Sequence, residues 1–168
     1  MLDRVREALF STLGDIEGVR VLDLFSGTGS LGLEALSRGA ASVDFFERDR
    51  RALRALRENI EALGVADRAR VHTGDALGEE AWPDQVELAL LDPPYPMLRE
   101  PVGRRRLLAG VRSLMETRVA SGGGLVLHTH PRDLAAGDLA PYPARDRTYG
   151  RTTLWYLWQD ELQDELQG

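Results

Sequence analysis

An acidic residue, two prolines and an aromatic residue stand together at Asp92-Pro93-Pro94-Tyr95, directly after the apolar run of residues 86–91. A short apolar run that ends at proline predicts a buried strand, so these four residues lie at its carboxyl end, where open α/β sheets bind ligands. The prolines restrict the backbone, so we expect the Asp92 side chain and the Pro93 carbonyl to point to one place. That arrangement suits a planar amine with Tyr95 stacked beside it, and makes all four residues candidate catalytic residues. An ordinary rigid turn is the alternative interpretation.

A glycine-rich segment, Gly27-Thr28-Gly29-Ser30-Leu31-Gly32, matches the pattern G-x-G-x-x-G and follows the apolar run of residues 19–24. Glu47 lies 20 residues beyond Gly27, which is the spacing at which dinucleotide-binding proteins place a ribose-binding acid. The pattern fits a nicotinamide or flavin cofactor. It also fits other adenosine cofactors, since each needs close backbone approach, a helix N-terminus and an acid for the ribose.

Two further acids favour one of these cofactors. Asp23 precedes the glycine loop, where its negative charge would oppose a pyrophosphate, and Asp75 lies at the end of the third predicted strand, where it could accept from an adenine amine. S-adenosylmethionine carries an ammonium and a sulfonium group and no phosphate, so the acids favour this methyl donor. Alternatively, Asp23 ties down the loop, Glu47 is a solvated strand end and Asp75 caps a turn. The predicted cofactor contacts are Asp23, Phe25, Ser26, Gly27, Thr28, Gly29, Glu47, Arg48, Asp75 and Ala76.

The elements that would position these residues alternate between strand and helix. The patterns predict strands over residues 19–24, 42–46, 69–73, 86–91 and 125–129, and two final strands within 139–158 joined through Tyr149-Gly150. Alternation with short connections predicts an α/β fold, a mostly parallel sheet with helices on both faces. We expect a single domain over residues 1–158 and an acidic tail over residues 159–168.

Helices are predicted between these strands, over residues 31–38 and 104–119 among others. Asp3 is the predicted N-cap of a first helix, and Asp49 is that of a later helix stopped by Gly64. Apolar positions on one face of that later helix are Leu53, Leu56, Ile60 and Leu63. Two i,i+4 pairs indicate that its other face is solvated: Arg54–Glu58 and Arg57–Glu61.

Composition excludes several classes of protein. The 168 residues contain 43% hydrophobic residues and no cysteine, which is enough for one substantial core and excludes disulfides and thiolate metal sites. No apolar run reaches membrane-spanning length and no signal-peptide pattern is present, so we expect a cytoplasmic protein without a membrane partner. His128 and His130 alternate on a predicted strand without an evident third ligand, so no metal is predicted.

The formal net charge of −6 argues against a protein that binds nucleic acid through general basicity, although all 21 basic residues are arginine. Arginine suits planar phosphate and base contacts. The candidate RNA contacts follow the Asp92 motif or lie on either side of Tyr149: Arg104, Arg105, Arg106, Arg147 and Arg151.

These stretches, taken together, resemble the bacterial 16S ribosomal RNA (guanine-N2) methyltransferases, the RsmD-like family, from end to end and in family order. The glycine loop and the Asp92 motif occur in many amino-methyltransferases, whereas the first and last stretches are more specific. The matching stretches are Asp3-Arg4-Val5-Arg6-Glu7-Ala8-Leu9-Phe10, residues 22–40, Leu91-Asp92-Pro93-Pro94-Tyr95 and Tyr149-Gly150-Arg151-Thr152-Thr153-Leu154.

The resemblance implies a Rossmann-like class I methyltransferase fold with seven strands, the last of them antiparallel. It also implies S-adenosylmethionine as donor, the exocyclic N2 amine of a guanine in 16S ribosomal RNA as acceptor, and a partly assembled small ribosomal subunit as partner. Family members usually carry Arg-Pro-Thr just before the first matching stretch, whereas this sequence starts two residues before Asp3. We expect that difference to lower RNA methylation and to leave the fold intact.

Three other functions fit part of the pattern. A methyltransferase acting on a protein amide or a small molecule would use the same Asp92 chemistry. A nicotinamide oxidoreductase would use the glycines but leave the Asp92 motif without a role. A catalytically silent RNA-binding assembly factor would keep the fold without the reaction.

Overall fold

The computed structural model describes residues 1–160, so all but Gln159 and Asp160 of the predicted acidic tail lies outside the described residues. The strands are β1 (Arg20–Leu24), β2 (Ser42–Glu47), β3 (Ala69–Thr73), β4 (Val86–Leu91), β5 (Val119–Thr129), β6 (Ala144–Tyr149) and β7 (Thr152–Trp158). The α-helices are α1 (Asp3–Leu13), α2 (Ser30–Ser37), α3 (Arg50–Ala62), α4 (Tyr95–Arg99) and α5 (Pro101–Thr117).

All seven strands form one sheet in the order β3-β2-β1-β4-β5-β7-β6. The first five strands are parallel to one another, and β7 runs antiparallel to both β5 and β6. Connections between parallel strands need a crossover, and these crossovers place helices over the sheet. The predicted α/β fold, with a mostly parallel seven-stranded sheet and an antiparallel last strand, is confirmed.

Alternate residues of the central strands face two separate cores. On one face, Leu22 of β1 and Ala89 of β4 belong to a cluster that includes Leu107, Val111 and Leu114 of α5. On the other face, residues of β1, β2 and β4 pack with residues of α1, α2 and α3: Val5, Leu9, Val21, Leu31, Ala35, Val43, Phe45, Leu56, Leu88 and Leu90. Burial on both faces explains why β1 and β4 are almost continuously apolar.

Two predicted helix features differ from the structure at α1 and α3. Leu2 is the N-cap of α1 and makes no side-chain cap, while Asp3 is already helical and pairs with Arg6 at 3.1 Å. Leu63 is the C-cap residue just beyond α3, and its side chain is exposed and does not share the buried face of Leu53, Leu56 and Ile60. The Asp49 cap is confirmed, since its Oδ1 accepts from the Ala52 N–H at 2.8 Å.

Of the two predicted ion pairs on α3, only one is present among the described residues. Arg54 pairs with Glu58 at 2.9 Å. Arg57 instead donates to the Thr73 hydroxyl at 3.3 Å on β3, so the Arg57–Glu61 prediction is wrong. The Thr73 hydroxyl at the end of β3 thus takes the place of Glu61, one turn further along α3, as the partner of this guanidinium.

Strand β5 begins at Val119, six residues before the predicted start at 125. The glycines of residues 122–124 lie within it, and at Gly123 and Gly124 neighbouring atoms leave no room for a side chain. A Cβ on Gly124 would lie 2.5 Å from the Trp158 ring, and one on Gly123 would lie 2.6 Å from the Glu87 carbonyl oxygen. Gly123 and Gly124 therefore permit close packing within the strand. Gly122, with φ 76°, lies where the pairing with β4 is irregular, since Val86 pairs with Val119 and Leu88 with Gly124.

Candidate active site

The carboxyl ends of β1, β4 and β5 lie side by side and bring the predicted site together. Register pairs Leu24 with Leu91, and Leu91 with Leu127. The residues that follow on these strands are therefore neighbours at one edge of the sheet. The Asp92 N–H donates to the Leu24 carbonyl at 3.3 Å and holds the Asp92 motif beside the start of the glycine loop.

The glycine loop turns sharply between β1 and α2. Gly27 has φ 57° and Gly29 has φ 91°, values that L side chains rarely adopt. A Cβ on Gly29 would also lie 2.4 Å from Leu56 Cδ1, whereas one on Gly27 would meet nothing within 4 Å. Gly29 therefore permits helix packing, and Gly27 leaves the outer surface of the loop open to a ligand. Thr28 and the non-glycine Phe25, with φ 61°, complete the turn.

Asp23 lies buried beneath this loop. Its Oδ2 accepts from the Gly32 N–H at 3.0 Å, its Oδ1 has no partner, and its carbonyl accepts from the Ser26 hydroxyl at 2.7 Å. Burial raises the pKa of Asp23 to about 8, and the nearby Asp92 carboxylate adds to this effect. Asp23 thus holds the loop in place and keeps a proton near neutral pH. The expectation that it presents a fixed negative charge against phosphate does not fit this environment.

Glu47 connects the end of β2 to the glycine loop. Its Oε2 accepts from the Gly27 N–H at 2.8 Å, and its Oε1 accepts from the N–H groups of Arg48 and Asp49, both at 2.8 Å. The side chain is half-buried and Arg48 is exposed. A carboxylate oxygen carries two lone pairs, so Oε1 is filled by its two N–H donors, whereas Oε2 can still accept one hydrogen bond from a ligand hydroxyl.

Asp75 lies after β3 and is held by two donors. Its Oδ1 accepts from the Leu77 N–H at 3.0 Å, and its Oδ2 accepts from the Arg106 guanidinium at 2.6 Å. The hydrogen bond from Arg106 is the main reason that the pKa of Asp75 lies below its usual value. Asp75 borders an open groove of about 770 Å³ that Phe46 also lines, and Ala76 beside it is buried.

Asp92 is paired with a histidine that the sequence suggested only as a metal ligand. Its Oδ1 lies 2.5 Å from Nδ1 of His128, which is 4% exposed, while the Asp92 side chain is 32% exposed. Pro93 is buried and Pro94 is exposed. The Pro94 carbonyl accepts from the Met97 N–H and begins the short helix α4, which the sequence did not predict.

Tyr95 presents an aromatic face beside this pair. The residue is 44% exposed, and its ring centroid lies 3.9 Å from that of His130 and 6.1 Å from that of His128, whose ring is nearly perpendicular to it. His128 lies at the end of β5 and His130 directly follows that strand, so the register of β5 against β4 places them near Asp92, and no local pattern in the sequence shows this. No group of three potential metal ligands occurs among residues 1–160, and no helix in that range is long and apolar enough to cross a membrane.

The predicted RNA-binding arginines have different surroundings. Arg104 pairs with Asp138 at 2.8 Å and donates to the Asp133 carbonyl, so it ties α5 to the loop after β5. Arg106 is committed to Asp75. The other three are exposed, one on α5 and two on the β6–β7 hairpin: Arg105, Arg147 and Arg151.

This sheet order, with the glycine loop after β1 and the acidic motif after β4, defines a Rossmann-like class I methyltransferase fold. A solved Escherichia coli structure, described as that of a candidate methyltransferase, yhhF, matches with a TM-score of 0.79 and 28% identity, over 95% of this chain and 87% of that one.

The family model described as Conserved hypothetical protein 95 matches residues 1–158, and the chain belongs to this family, which is that of the RsmD-like proteins. YlbH of Bacillus subtilis, described as a candidate rRNA methyltransferase, is 32% identical over 159 residues, which cover 89% of this chain and 82% of that protein. The ribosomal RNA small subunit methyltransferase D of Escherichia coli K12 is 39% identical over 118 residues, 68% of this chain. That match spans 54% of the Escherichia coli protein. The predicted resemblance is confirmed, which decides against a nicotinamide oxidoreductase.

Proposed function

We propose that this protein transfers a methyl group from S-adenosylmethionine to the N2 amine of a guanine in 16S ribosomal RNA, in a partly assembled small subunit in the cytoplasm. The observation that carries the proposal is the position of Asp92 at the end of β4. One of its carboxylate oxygens contacts His128, and the exposed Tyr95 ring lies in the same motif. A hydrogen-bond acceptor beside an open aromatic face suits an amine on a planar base.

The residues at the ends of β1, β2 and β3 fit this methyl donor. The open surface at Gly27 admits a close ligand, Oε2 of Glu47 can accept from a ribose hydroxyl, and Asp75 is an ionised acceptor for an adenine amine. When bound, S-adenosylmethionine supplies a methyl group activated by a positively charged sulfur.

The chain's own residues would make the guanine amine reactive. An exocyclic purine amine is a poor nucleophile, because its lone pair is delocalised into the ring. Asp92 and the Pro93 carbonyl would accept hydrogen bonds from the two N–H groups of the amine. These bonds favour a pyramidal nitrogen whose lone pair points at the methyl group of the donor. These bonds strengthen as the nitrogen gains positive charge and becomes acidic, so no strong base is required. Tyr95 and His130 would stack on the base, which must be unpaired to reach them.

Support for ribosomal RNA as the substrate comes from the family and from the surface. The relatives in Bacillus subtilis and Escherichia coli carry ribosomal RNA methyltransferase names. Three predicted RNA contacts, Arg105, Arg147 and Arg151, are exposed. With a net charge of −6 the protein gains little from general attraction to RNA. A substrate that already carries ribosomal proteins would supply contacts of another kind.

Methyl transfer to purified small subunits tests this proposal. The subunits are taken from cells that lack their own guanine-N2 methyltransferase, and the methyl group of S-adenosylmethionine is radiolabelled. We expect one labelled N2-methylguanosine per 16S RNA after digestion to nucleosides. Label in ribosomal protein would support the protein-amide alternative, and no label with intact cofactor binding would support a silent assembly factor.

A further inference from the structure

Asp92 forms a hydrogen-bonded pair with the buried His128, and the proposed reaction gives a role only to Asp92. Leu91 of β4 pairs with Leu127 of β5, so the next residues on the two strands stand opposite each other on one face. The resulting Nδ1–Oδ1 distance is 2.5 Å. The histidine is 4% exposed, whereas the Asp92 side chain is 32% exposed.

The chemistry of the two groups fixes the direction of this hydrogen bond. An ionised carboxylate can only accept, so Nδ1 of His128 must carry the proton. The second ring nitrogen, Nε2, is buried and has no partner among residues 1–160. Burying an unpaired nitrogen is unfavourable. The hydrogen bond at Nδ1 is therefore the polar contact that favours this position of the ring.

We infer that His128 is a positioning residue for Asp92, an inference that rests on the proposed function. By donating to Oδ1, the imidazole fixes the rotation of the carboxylate and leaves Oδ2 to accept from the guanine amine. Without this donor, the half-exposed carboxylate would rotate and bind water with both oxygens. The amine would then meet a solvated, misaligned acceptor at the moment when its lone pair must point at the methyl group.

Two other roles for His128 fit the surroundings less well. A metal site would need further ligands, and no group of three potential ligands occurs in the described part of the chain. A purely structural histidine would contribute to stability through its packing, and any buried residue of similar shape would then serve. The positioning role and the structural role differ in one property: only the positioning role needs an N–H donor at the place of Nδ1.

Substitutions at His128 separate these roles by the position of the donor. The amide nitrogen of asparagine is separated from Cα by the same number of bonds as Nδ1 of histidine. The amide nitrogen of glutamine is one bond further away, like Nε2 of histidine, and leucine has no donor. Single-turnover methyl transfer is measured at saturating S-adenosylmethionine on small subunits, together with cofactor affinity and melting temperature. We expect His128→Leu and His128→Gln to slow transfer by about 10- to 100-fold and His128→Asn to stay within about threefold of the native rate. Cofactor affinity should be unchanged in all three.

A second histidine–aspartate pair provides a matched control. His72 Nε2 of β3 lies 2.7 Å from Asp44 Oδ1 of β2, and β1 and β4 separate this pair from β5; His72 also lines the groove beside Asp75, so the rate is compared at saturating cofactor. His72→Leu should lower the melting temperature and leave the rate at saturating cofactor unchanged. A native rate in His128→Leu, or an equal loss in the leucine and asparagine variants, would overturn the positioning role. Asp92→Ala is measured beside them, because full activity in that variant would overturn the proposed function itself.

The proton position can be measured without any substitution. Nitrogen-15 NMR of the folded protein distinguishes a protonated Nδ1 from a bare one. We expect the His128 Nδ1 to carry a proton that is strongly hydrogen-bonded. A neutral ring protonated only at Nε2 would overturn the inference, because such a ring cannot donate to Asp92.

Discussion

The Arg106 guanidinium lies 2.6 Å from the Asp75 carboxylate, so a side chain predicted to contact RNA is bound to an acid predicted to contact the cofactor. Both side chains are about half-exposed. Because the hydrogen bond lowers the pKa of Asp75, Arg106 keeps this acid ionised and fixes its orientation.

Replacing Arg106 should therefore affect cofactor binding more than RNA binding. An exposed ion pair contributes up to about 1 kcal/mol, so we expect Arg106→Leu to weaken S-adenosylmethionine binding about two- to fivefold by calorimetry. Arg105→Leu, on the exposed neighbouring position, is the control and should leave cofactor affinity unchanged. Equal cofactor affinities in the two variants would contradict the assigned role of this pair.

Glu47 is the acid for which the proposal predicts the largest loss of cofactor affinity. Charge-assisted hydrogen bonds to ribose hydroxyls contribute roughly 1.5–3 kcal/mol, so Glu47→Ala should weaken binding of S-adenosylmethionine by about that amount. The substitution also removes acceptors for three backbone N–H groups, including that of Gly27, so a lower melting temperature is expected. An unchanged affinity in the folded variant would place the ribose elsewhere.

Asp23 should make stability depend on pH. Its pKa is about 8 when folded and about 3.9 when unfolded, so between these values only the folded state holds the proton. The free energy of unfolding should then fall as pH rises through this window, by at most about 1.4 kcal/mol per pH unit, and level off above pH 8. Relative to native protein, Asp23→Asn should gain stability steadily from pH 5 to pH 8 in urea unfolding. Parallel curves for the two proteins would show that Asp23 is ionised when folded.

Local patterns predicted much of the fold. The bounds of β3 and β4 match the prediction residue for residue, and Asp49 caps α3 as expected. These features depend on interactions that are local in sequence: short strand patterns between turns, and an Asp49 side chain that caps an N–H three residues later. The start of β5 was missed because its glycines are explained by Trp158, which is distant in sequence and packs against Gly124.

The site was predicted less completely for the same physical reason. The sequence singled out Asp92 and Tyr95 because their motif is contiguous. The contact between Asp92 and His128 depends on the register of β4 against β5, and that between Arg106 and Asp75 depends on the packing of α5. Neither relationship leaves a periodic signal. Burial of Asp23, which changes its charge, likewise depends on α2 covering the sheet.

Tyr95 should act through its ring. Stacking of a base on an aromatic side chain contributes about 1–3 kcal/mol, so Tyr95→Ala should weaken engagement of the small subunit, whereas Tyr95→Phe should keep most of the activity. The side chain is 44% exposed, so neither variant should change the free energy of unfolding by more than about 0.5 kcal/mol. Equal rates for all three proteins would remove the stacking role.

The most direct test of the whole account is the single-turnover rate of Asp92→Ala on small subunits, with cofactor affinity and melting temperature measured on the same preparation. Asp92 is proposed to accept from the amine most strongly in the transition state, so its loss should lower the rate while cofactor affinity barely changes. Parallel losses of stability, cofactor binding and rate would indicate a structural role instead. A fully active Asp92→Ala protein would contradict amine methylation at this site.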